Sequence, residues 1–428
     1  VARVDSLAGI ARALEQAARR GESVSIAGGR HAMGGQQFGT DTVLLDTRAL
    51  DRITGFDPET GLLEAEAGIL WPELVRGYLA LQKGCRRQWG IAQKQTGADR
   101  LSLGGALSAN VHGRGLTRKP LVGDIESFRI VGADGKARWA SRTQAPELFR
   151  AAIGGYGLLG VVHSVVLRLV PRVKVERIVE LARVDDLVAG FAARIRDGFT
   201  YGDFQFAIDP RSAGFLDRGV FSCYRPVADD VPVPESQREL SAADWRRLVY
   251  LAHADKSEGF RLYAEHYLAT SGQVYWSDAH QLGVYLDDYH AEIDARLGGP
   301  PASEVITEVF VPPPALADFL AETREDFRRH GVNLIYGTVR RIERDDETLL
   351  PWARGPYLGT VFNLHTEHTP AGIAGTASTV RRLIAAALRR GGSYFLTYGR
   401  HATRRQMAAC YPRFGEFVEL KRRVDPRG

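Results

Sequence analysis

The chain has 428 residues, 44% of them hydrophobic and 25% charged, an ordinary balance for a folded protein with room for two or three domains. Its 56 Lys and Arg nearly match its 51 Asp and Glu, leaving a formal charge of +5, and the basic residues are spread through helices rather than gathered in a stripe, so nucleic acid is not an expected partner. Three distant cysteines, Cys85, Cys223 and Cys410, give neither a disulfide framework nor metal-ligand spacing; no run approaches the roughly 18 apolar residues of a membrane span, so no metal and no integral membrane segment are expected. A cytoplasmic location is the default, and because the chain starts at Val1 a preceding targeting segment stays open.

Taken in order, residues 5–20 carry apolar positions at helical spacing after an Asp cap, and "SVSIAG" follows as a short buried strand. The chain then enters "AGGRHAMGG", where four glycines surround Arg30 and His31. "TVLLDT", "RITGFD" and "GLLEAEAG" read as three short strands, and a helix is expected from Trp71 to Leu81 with Pro72 in its first turn. A second glycine-rich segment, "QTGADRLSLGGALSANVHGRG", has no clear periodicity over its first half. "DIESFRIVGADGKARWAS" reads as a hairpin turning at Asp134-Gly135, and "APELFRAAIGGYGLLGVVHSVVLRLVPR" as a helix, a third glycine loop and a long strand. After about residue 173 glycine pairs thin out. "DFQFAIDP", "EVITEVFVPPP", "NLIYGTVRRIE", "GTVFNLHTEH" and "GSYFLTYGRH" read as strands, and "ADFLAETREDFRRHG" and "GTASTVRRLIAAALRRGG" as helices. Strand, helix, strand, strand, helix, strand is a ferredoxin-like order, and no internal repeat is legible.

The glycine loops exclude two phosphate-binding motifs. No G-x-x-x-x-G-K-[ST] occurs, and the G-x-G-x-x-G within "GGYGLLG" runs from a helix into a strand, the reverse of a Rossmann turn. What remains is a loop whose successive backbone N–H groups bind an anion, glycine allowing a diphosphate to come close.

"AGGRHAMGG" followed by "VLLDT", "TGADRLSLGGALSANVHGRG" and "IGGYGLLGVV" resembles the FAD-binding domain of the vanillyl-alcohol oxidase / p-cresol methylhydroxylase (PCMH-type) flavoproteins over about residues 5–172. The tail "GGSYFLTYGRHATRRQMAACYPRFGEFVELKRRVDP" resembles the sugar-oxidising branch, which includes alditol, aldonolactone and decaprenylphosphoryl-ribose oxidases. The resemblance implies an α+β fold: a two-subdomain FAD-binding domain over 1–172, a ferredoxin-like substrate domain over 173–410, and a return to the first domain over 411–428. By the same resemblance Gly28, Gly29, Arg30, His31, Ala32 and Met33 would wrap the FAD diphosphate. Gly97, Ser102, Gly104, Gly105 and Ser108 would run beside diphosphate and flavin, and Gly157, Gly160 and Val162 would touch the ring or the adenine. His31 either carries the flavin covalently, as the histidine of "R-H-S" relatives does, or only hydrogen-bonds the diphosphate. His112 would stand near flavin and substrate, or satisfy loop carbonyls. Val111 is bulkier than Gly or Ala and could restrict oxygen.

On alternation alone, Asn363, His365 and Glu367 share one strand face, either a solvated edge or an active-site wall in which Glu367 raises the basicity of His365. Glu308, Arg340 and Arg400 with His401 complete the candidates, a cation being wanted where reduced flavin is negative. Tyr398 stands where decaprenylphosphoryl-ribose oxidases have lysine, which argues against their lipid-linked substrate. The expected activity is FAD-dependent oxidation of a CH–OH group of a sugar, polyol or related alcohol, with oxygen or another electron acceptor. The alternatives are a lipid-linked sugar dehydrogenase of an epimerase pair and a flavin-binding scaffold without turnover.

Overall fold

The computed structural model describes residues 1–287 and 289–427. After β1 (Ala2–Arg3), helix α1 (Leu7–Arg20) opens on Ser6, whose hydroxyl accepts from Gly9 N, and stops at Gly21, where φ of 67° suits a residue without Cβ. Ile10 on its inner side packs with Val4, Leu45, Leu50, Val131 and Val161. β2 (Ser23–Ala27) and β3 (Thr42–Asp46) pair in parallel with β1 beyond β3, so the first glycine loop leaves the carboxyl end of β2.

A second layer follows: β4 (Ile53–Asp57), β5 (Leu62–Glu66), α2 (Trp71–Leu81), β6 (Trp89–Gly90), α3 (Leu103–Ala109), β7 (Ile125–Val131), β8 (Ala137–Ser141), α4 (Pro146–Ala152), β9 (Val161–Arg168) and β10 (Val170–Pro171). Five of its strands form an antiparallel sheet in the order β4-β5-β9-β7-β8. Helix α2 buries Trp71, Leu74, Val75 and Tyr78, the i, i+3, i+4, i+7 stripe its sequence carries. The β7-β8 hairpin turns over Gly132–Lys136 rather than over two residues; Gly135 takes φ of 73° and Gly132 N donates to Lys136 O at 3.1 Å. Helix α3 begins where the stretch without periodicity ends. Ser102 caps it by accepting from Gly105 N, and a Cβ on Gly104 would stand 2.9 Å from the Ala67 methyl, so close packing rather than helix propensity selects glycine there.

The rest of the chain runs β11 (Lys174–Arg183), α5 (Val184–Arg196), β12 (Tyr201–Phe206), β13 (Arg218–Pro226), α6 (Ala242–Ala254), α7 (Lys256–Ala269), β14 (Val274–Trp276), α8 (Tyr289–Leu297), β15 (Ala302–Val311), α9 (Leu316–His330), β16 (Leu334–Ile342), β17 (Tyr357–Glu367), α10 (Pro370–Arg389) and β18 (Ser393–Tyr394). These strands make one antiparallel sheet of eight, β14-β11-β13-β12-β16-β17-β15-β18. Counted within each half, that is the ferredoxin-like order 4-1-3-2 followed by its mirror, joined where β12 meets β16 through Phe204 and Val339. The single unit expected from the sequence is therefore one of two. The first copy escapes recognition because α6 and α7 stand where its second helix belongs, and no residue pattern repeats with the topology.

Helices α5, α9 and α10 cover one face of this sheet, with Phe191 edge-on to Phe221 at 4.9 Å and Phe327 to Phe362 at 5.4 Å. Helices α6 and α7 and the glycine loops cover the other. The tail strand expected over "GSYFLTYGRH" is only two residues long, because Gln36 Nε2 donates to the carbonyls of Leu396, Thr397 and Tyr398 at 3.2, 3.1 and 3.1 Å and turns them away from the ladder. The tail thus already meets the first glycine segment there, ahead of α11 (Arg404–Cys410) and α12 (Phe414–Val424), whose Arg423 pairs with Glu147 of α4 at 2.5 Å. Among the described residues no helix is long and apolar enough to cross a membrane.

Candidate active site

One cavity of about 1480 Å³ runs from the glycine loops into the space between the eight-stranded sheet and helices α6 and α7. Its first wall is backbone. Among the described residues, the N–H groups of Gly29, Arg30, His31, Ala32 and Met33 donate to no backbone carbonyl, although all five residues line the cavity. A Cβ on Gly28 would collide with the Ser102 side chain and one on Gly29 with the Arg100 carbonyl, so the loops after β2 and before α3 are seated directly on each other. Bare amides along such a seam form an anion cradle. Gly97, Ser102, Gly104, Gly105, Ser108, Gly157, Gly160 and Val162 line the same cavity. Gly97 and Gly157 have φ of 74° and 75°, a region that β-carbon-bearing residues avoid.

The second wall is side chains. β12 contributes Asp203 and Gln205, β16 contributes Tyr336 and Arg340, β17 contributes Val361 and Asn363, and the tail contributes Tyr398. Tyr336 stands opposite Asn363 in the β16-β17 register, and Asn363 opposite Ile306 of β15, so three strands bring one row to the cavity. Arg340 is 3% exposed, its Nε is without a hydrogen-bond partner, and it pairs with no carboxylate among the described residues. Burial, and then the Glu308 carboxylate facing it, hold the Tyr398 phenol well above its ordinary range.

Behind Tyr398 lies a buried dyad. His112 Nε2 is 2.8 Å from Glu308 Oε1, and its Nδ1 is 3.0 Å from Gly113 O, which fixes the Nδ1 hydrogen on that carbonyl. The short contact couples the imidazole to the carboxylate. Glu308 Oε2 is buried without a partner, and Trp352 packs 5.1 Å from the imidazole. His112 does not line the cavity, so the ring expected beside flavin and substrate sits one layer back.

Other candidates lie apart. Alternation does place Asn363, His365 and Glu367 on one face, but the cavity ends at Asn363. His365 packs edge-on to His253 at 5.1 Å outside the lining, and Glu367 is exposed at the end of β17. Burial and the neighbouring His253 lower the His365 pKa, the opposite of the basicity expected from Glu367. Arg400 is exposed and outside the cavity, because the tail turns at Gly399 instead of continuing as a strand. His31 does line the cavity, its ring 6.0 Å from Tyr285; burial, then Arg100, lower its pKa and favour the neutral imidazole.

Several lining or supporting residues carry no sequence signal. Lys94 is fully buried, its Nζ 2.5 Å from Asp99 Oδ1 and donating to Gln95 O at 2.8 Å. Arg114, Arg177, Asp203 and His280 line the cavity from four separate segments, and only the "HGRG" context of Arg114 pointed toward a site.

Bare amides facing a cleft, glycines with no room for Cβ, and a side-chain wall opposite suit a ligand with an anionic part, held between two layers. Comparison with known proteins names the ligand. Residues 1–141 match the FAD binding domain family, so the amino-terminal third of this chain is an FAD binding domain of the PCMH type and FAD is its cofactor. The chain is 30% identical over 218 residues to an L-gulono-1,4-lactone dehydrogenase of Mycobacterium tuberculosis, covering 48% of this chain and 46% of that protein. It is 30% identical over 167 residues to the L-gulonolactone oxidase of Scyliorhinus torazame (39% of this chain, 36% of that protein), and 29% over 153 residues to cytokinin dehydrogenase 8 of Oryza sativa (33% and 27%). The chain spans about half or less of the length of the curated relatives it matches. Two of those names concern aldonolactones and one does not, so the shared stretch speaks to the cofactor more than to the substrate.

Proposed function

We propose that this protein is an FAD-dependent oxidoreductase that oxidises a CH–OH group of a sugar, aldonolactone, polyol or related alcohol. The observation that carries the reading is the continuity of one cavity from the bare amides of Gly29–Met33 to Arg340, Asn363 and Tyr398. When bound, FAD supplies the acceptor for hydride from the alcohol carbon. Gly28–Met33 would hold its diphosphate, Gly97–Ser108 its flavin end, and His31, neutral and facing the cavity, is the residue assigned to a covalent link.

The chain's own groups fit the remaining tasks. Arg340, buried and without a carboxylate partner among the described residues, stabilises negative charge that develops across the cavity. Asn363 and Tyr336, side by side on neighbouring strands, orient hydroxyl groups. The Tyr398 hydroxyl receives the substrate's alcohol proton and passes its own to Glu308 Oε2, the free oxygen of the His112 dyad, so the phenol never stands as an anion. His112 positions Glu308 through the 2.8 Å contact of its Nε2 with Oε1. Val111 lines the cavity beside α3, a side chain where Gly or Ala would leave room for oxygen, which supports an acceptor other than oxygen.

The test is spectroscopic. Purified protein is expected to show flavin absorbance, and an anaerobic panel of polyols and aldonolactones is expected to bleach it; subsequent oxygen consumption separates oxidase from dehydrogenase. Flavin that no member of the panel reduces would remove the enzymatic reading and leave a scaffold. Yellow colour that stays with acid-precipitated protein, and leaves it in His31→Ala, would support the covalent link.

A further inference from the structure

Beyond the groups assigned above, the cavity has a second polar compartment, lined by Arg114, Arg177, Asp203, Ser222 and His280. Arg114 donates through Nη2 to His280 O at 2.7 Å, lies 3.5 Å from Asp203 Oδ1 through Nη1, and has a buried Nε with no partner. Arg177, on β11, donates through Nε to the Tyr224 hydroxyl at 2.9 Å and through Nη1 to Thr270 Oγ1 at 3.0 Å. Its guanidinium stands 4.7 Å from the Tyr275 ring and 5.2 Å from those of Tyr224 and Tyr267, and among the described residues no carboxylate pairs with it. Among the described residues, two fixed positive charges thus share one carboxylate, which Arg114 already engages.

The neutral groups point the same way. His280 is only 8% exposed, its ring held between Tyr201 at 4.8 Å and Tyr224 at 4.5 Å, and among the described residues neither ring nitrogen has a partner at good hydrogen-bond geometry, although the backbone of Trp276 and Ser277 lies close by. Burial, with Arg114 and Arg177 close by, keeps its pKa well below the usual range, so the ring is neutral and offers one N–H. Ser222, directly opposite Asp203 in the β12-β13 register, has a buried hydroxyl without a partner. Buried polar atoms left unsatisfied on three side chains that line one space are rare in folded proteins unless something fills that space. What is left over is two guanidiniums, one imidazole N–H and one hydroxyl, a set dominated by donors and positive charge. A neutral polyol offers as many donors as acceptors and leaves the charge uncompensated, whereas an oxyanion answers both. The exposed pair Arg238 and Glu239 at the rim carries opposite charges and does not alter this balance.

We propose that this compartment is an oxyanion subsite, and that the substrate is an acidic sugar derivative bearing a carboxylate or phosphate away from the carbon that is oxidised. This rests on the FAD-dependent alcohol oxidation proposed above. The tyrosines around Arg177 give the sugar carbons an aromatic wall, and the two arginines fix the anionic end, which sets which hydroxyl meets the flavin.

Three six-carbon probes test it by anaerobic calorimetry on the flavin-loaded protein: sorbitol, gluconate and sorbitol 6-phosphate. At least one acidic probe is expected to bind about tenfold or more tightly than sorbitol, the better of the two distinguishing carboxylate from phosphate. Arg177→Gln is expected to weaken that acidic probe about tenfold while Arg177→Lys, which keeps the charge, retains part of the affinity and sorbitol is unaffected. Wild-type protein gives a second readout without any variant, because added salt is expected to weaken the acidic probe and not sorbitol. Acidic probes that bind no better than sorbitol to wild type overturn the subsite, and flavin absorbance in the same samples shows separately whether the FAD reading stands.

Discussion

The wall of the cavity formed by residues 28–33 and 97–109 is made of backbone, and the wall opposite, from β12, β13, β16 and β17, is made of side chains. In the first, glycines let two loops lie against each other, and the groups offered to the cavity are amides that every residue type possesses. In the second, Asp203, Arg340, Asn363 and Tyr398 face the cavity, and each comes from a different strand or turn. The consequence is a division of labour: substitutions in the backbone wall act through shape and cofactor retention, those in the side-chain wall through charge and proton transfer. The family model matches residues 1–141, the part of the chain that carries the first two glycine loops.

The largest effect is expected where the backbone wall is tightest. Gly29→Ala places a methyl against the Arg100 carbonyl, and because overpacking costs about 1–3 kcal/mol and backbone cannot swing aside, purified protein should retain less than about a tenth of the wild-type flavin, read by absorbance per chain. Full flavin content in that variant would break the contrast between the walls. Next comes Glu308→Gln, which keeps the size of the side chain but removes the proton acceptor: kcat is expected to fall about 10²–10³-fold with flavin content unchanged. Arg340→Met should slow flavin reduction by about 10²-fold, measured by anaerobic stopped flow, while a loss of flavin instead would move Arg340 to the cofactor-holding side of the comparison.

A smaller effect sharpens the picture of how the backbone wall is supported. Asp124, buried beneath the loop at Gln93, accepts from Gln93 Nε2 at 2.9 Å, and burial pushes its carboxyl up to about 6. An unfolded Asp titrates near 4, so the folded state holds the extra proton between about pH 4 and 6, and stability is lost as pH rises through that window. Asp124→Asn is therefore expected to raise Tm at about pH 7.5, by an amount corresponding to about 3 kcal/mol at most, and by less at about pH 5. An equal shift at both pH values would count against a protonated Asp124. The smallest effect is expected at His365→Ala, which should change kcat by less than about threefold because the ring lies outside the cavity.

The eight-stranded sheet carries its own lesson. Both halves have the order 4-1-3-2, yet they treat the cavity face differently: in the second half both crossover helices, α9 and α10, cover the far face, whereas in the first α6 and α7 cross to the cavity face. That crossing turns an open sheet face into an enclosed compartment, and Arg177 and His280 belong to the half that it encloses.

Much of the backbone wall was legible from residues alone, because glycine is the residue that close approach demands and its clusters at 28–35, 97–105 and 154–160 are contiguous in the chain. Helix α2 and strands β2 to β5 were legible for a similar reason, their periods and caps being local. The alternation of "FNLHTEH" was read correctly as a face, but where along that face the cavity ends depends on α6, α7 and β15, which no local pattern reports. Arg400 was misplaced because a side chain at residue 36 reorganises the backbone at 396–398. His112 was singled out by its loop, while its pairing with Glu308, 196 residues away, follows from the strand register that brings β15 under the loop. Sequence by itself thus located the glycine loops of the backbone wall, whose shape is encoded by short-range backbone geometry. Only the tertiary structure decided which charged side chains share a space, because contacts such as Arg114–Asp203 and His112–Glu308 join residues that the chain separates by 89 and 196 positions.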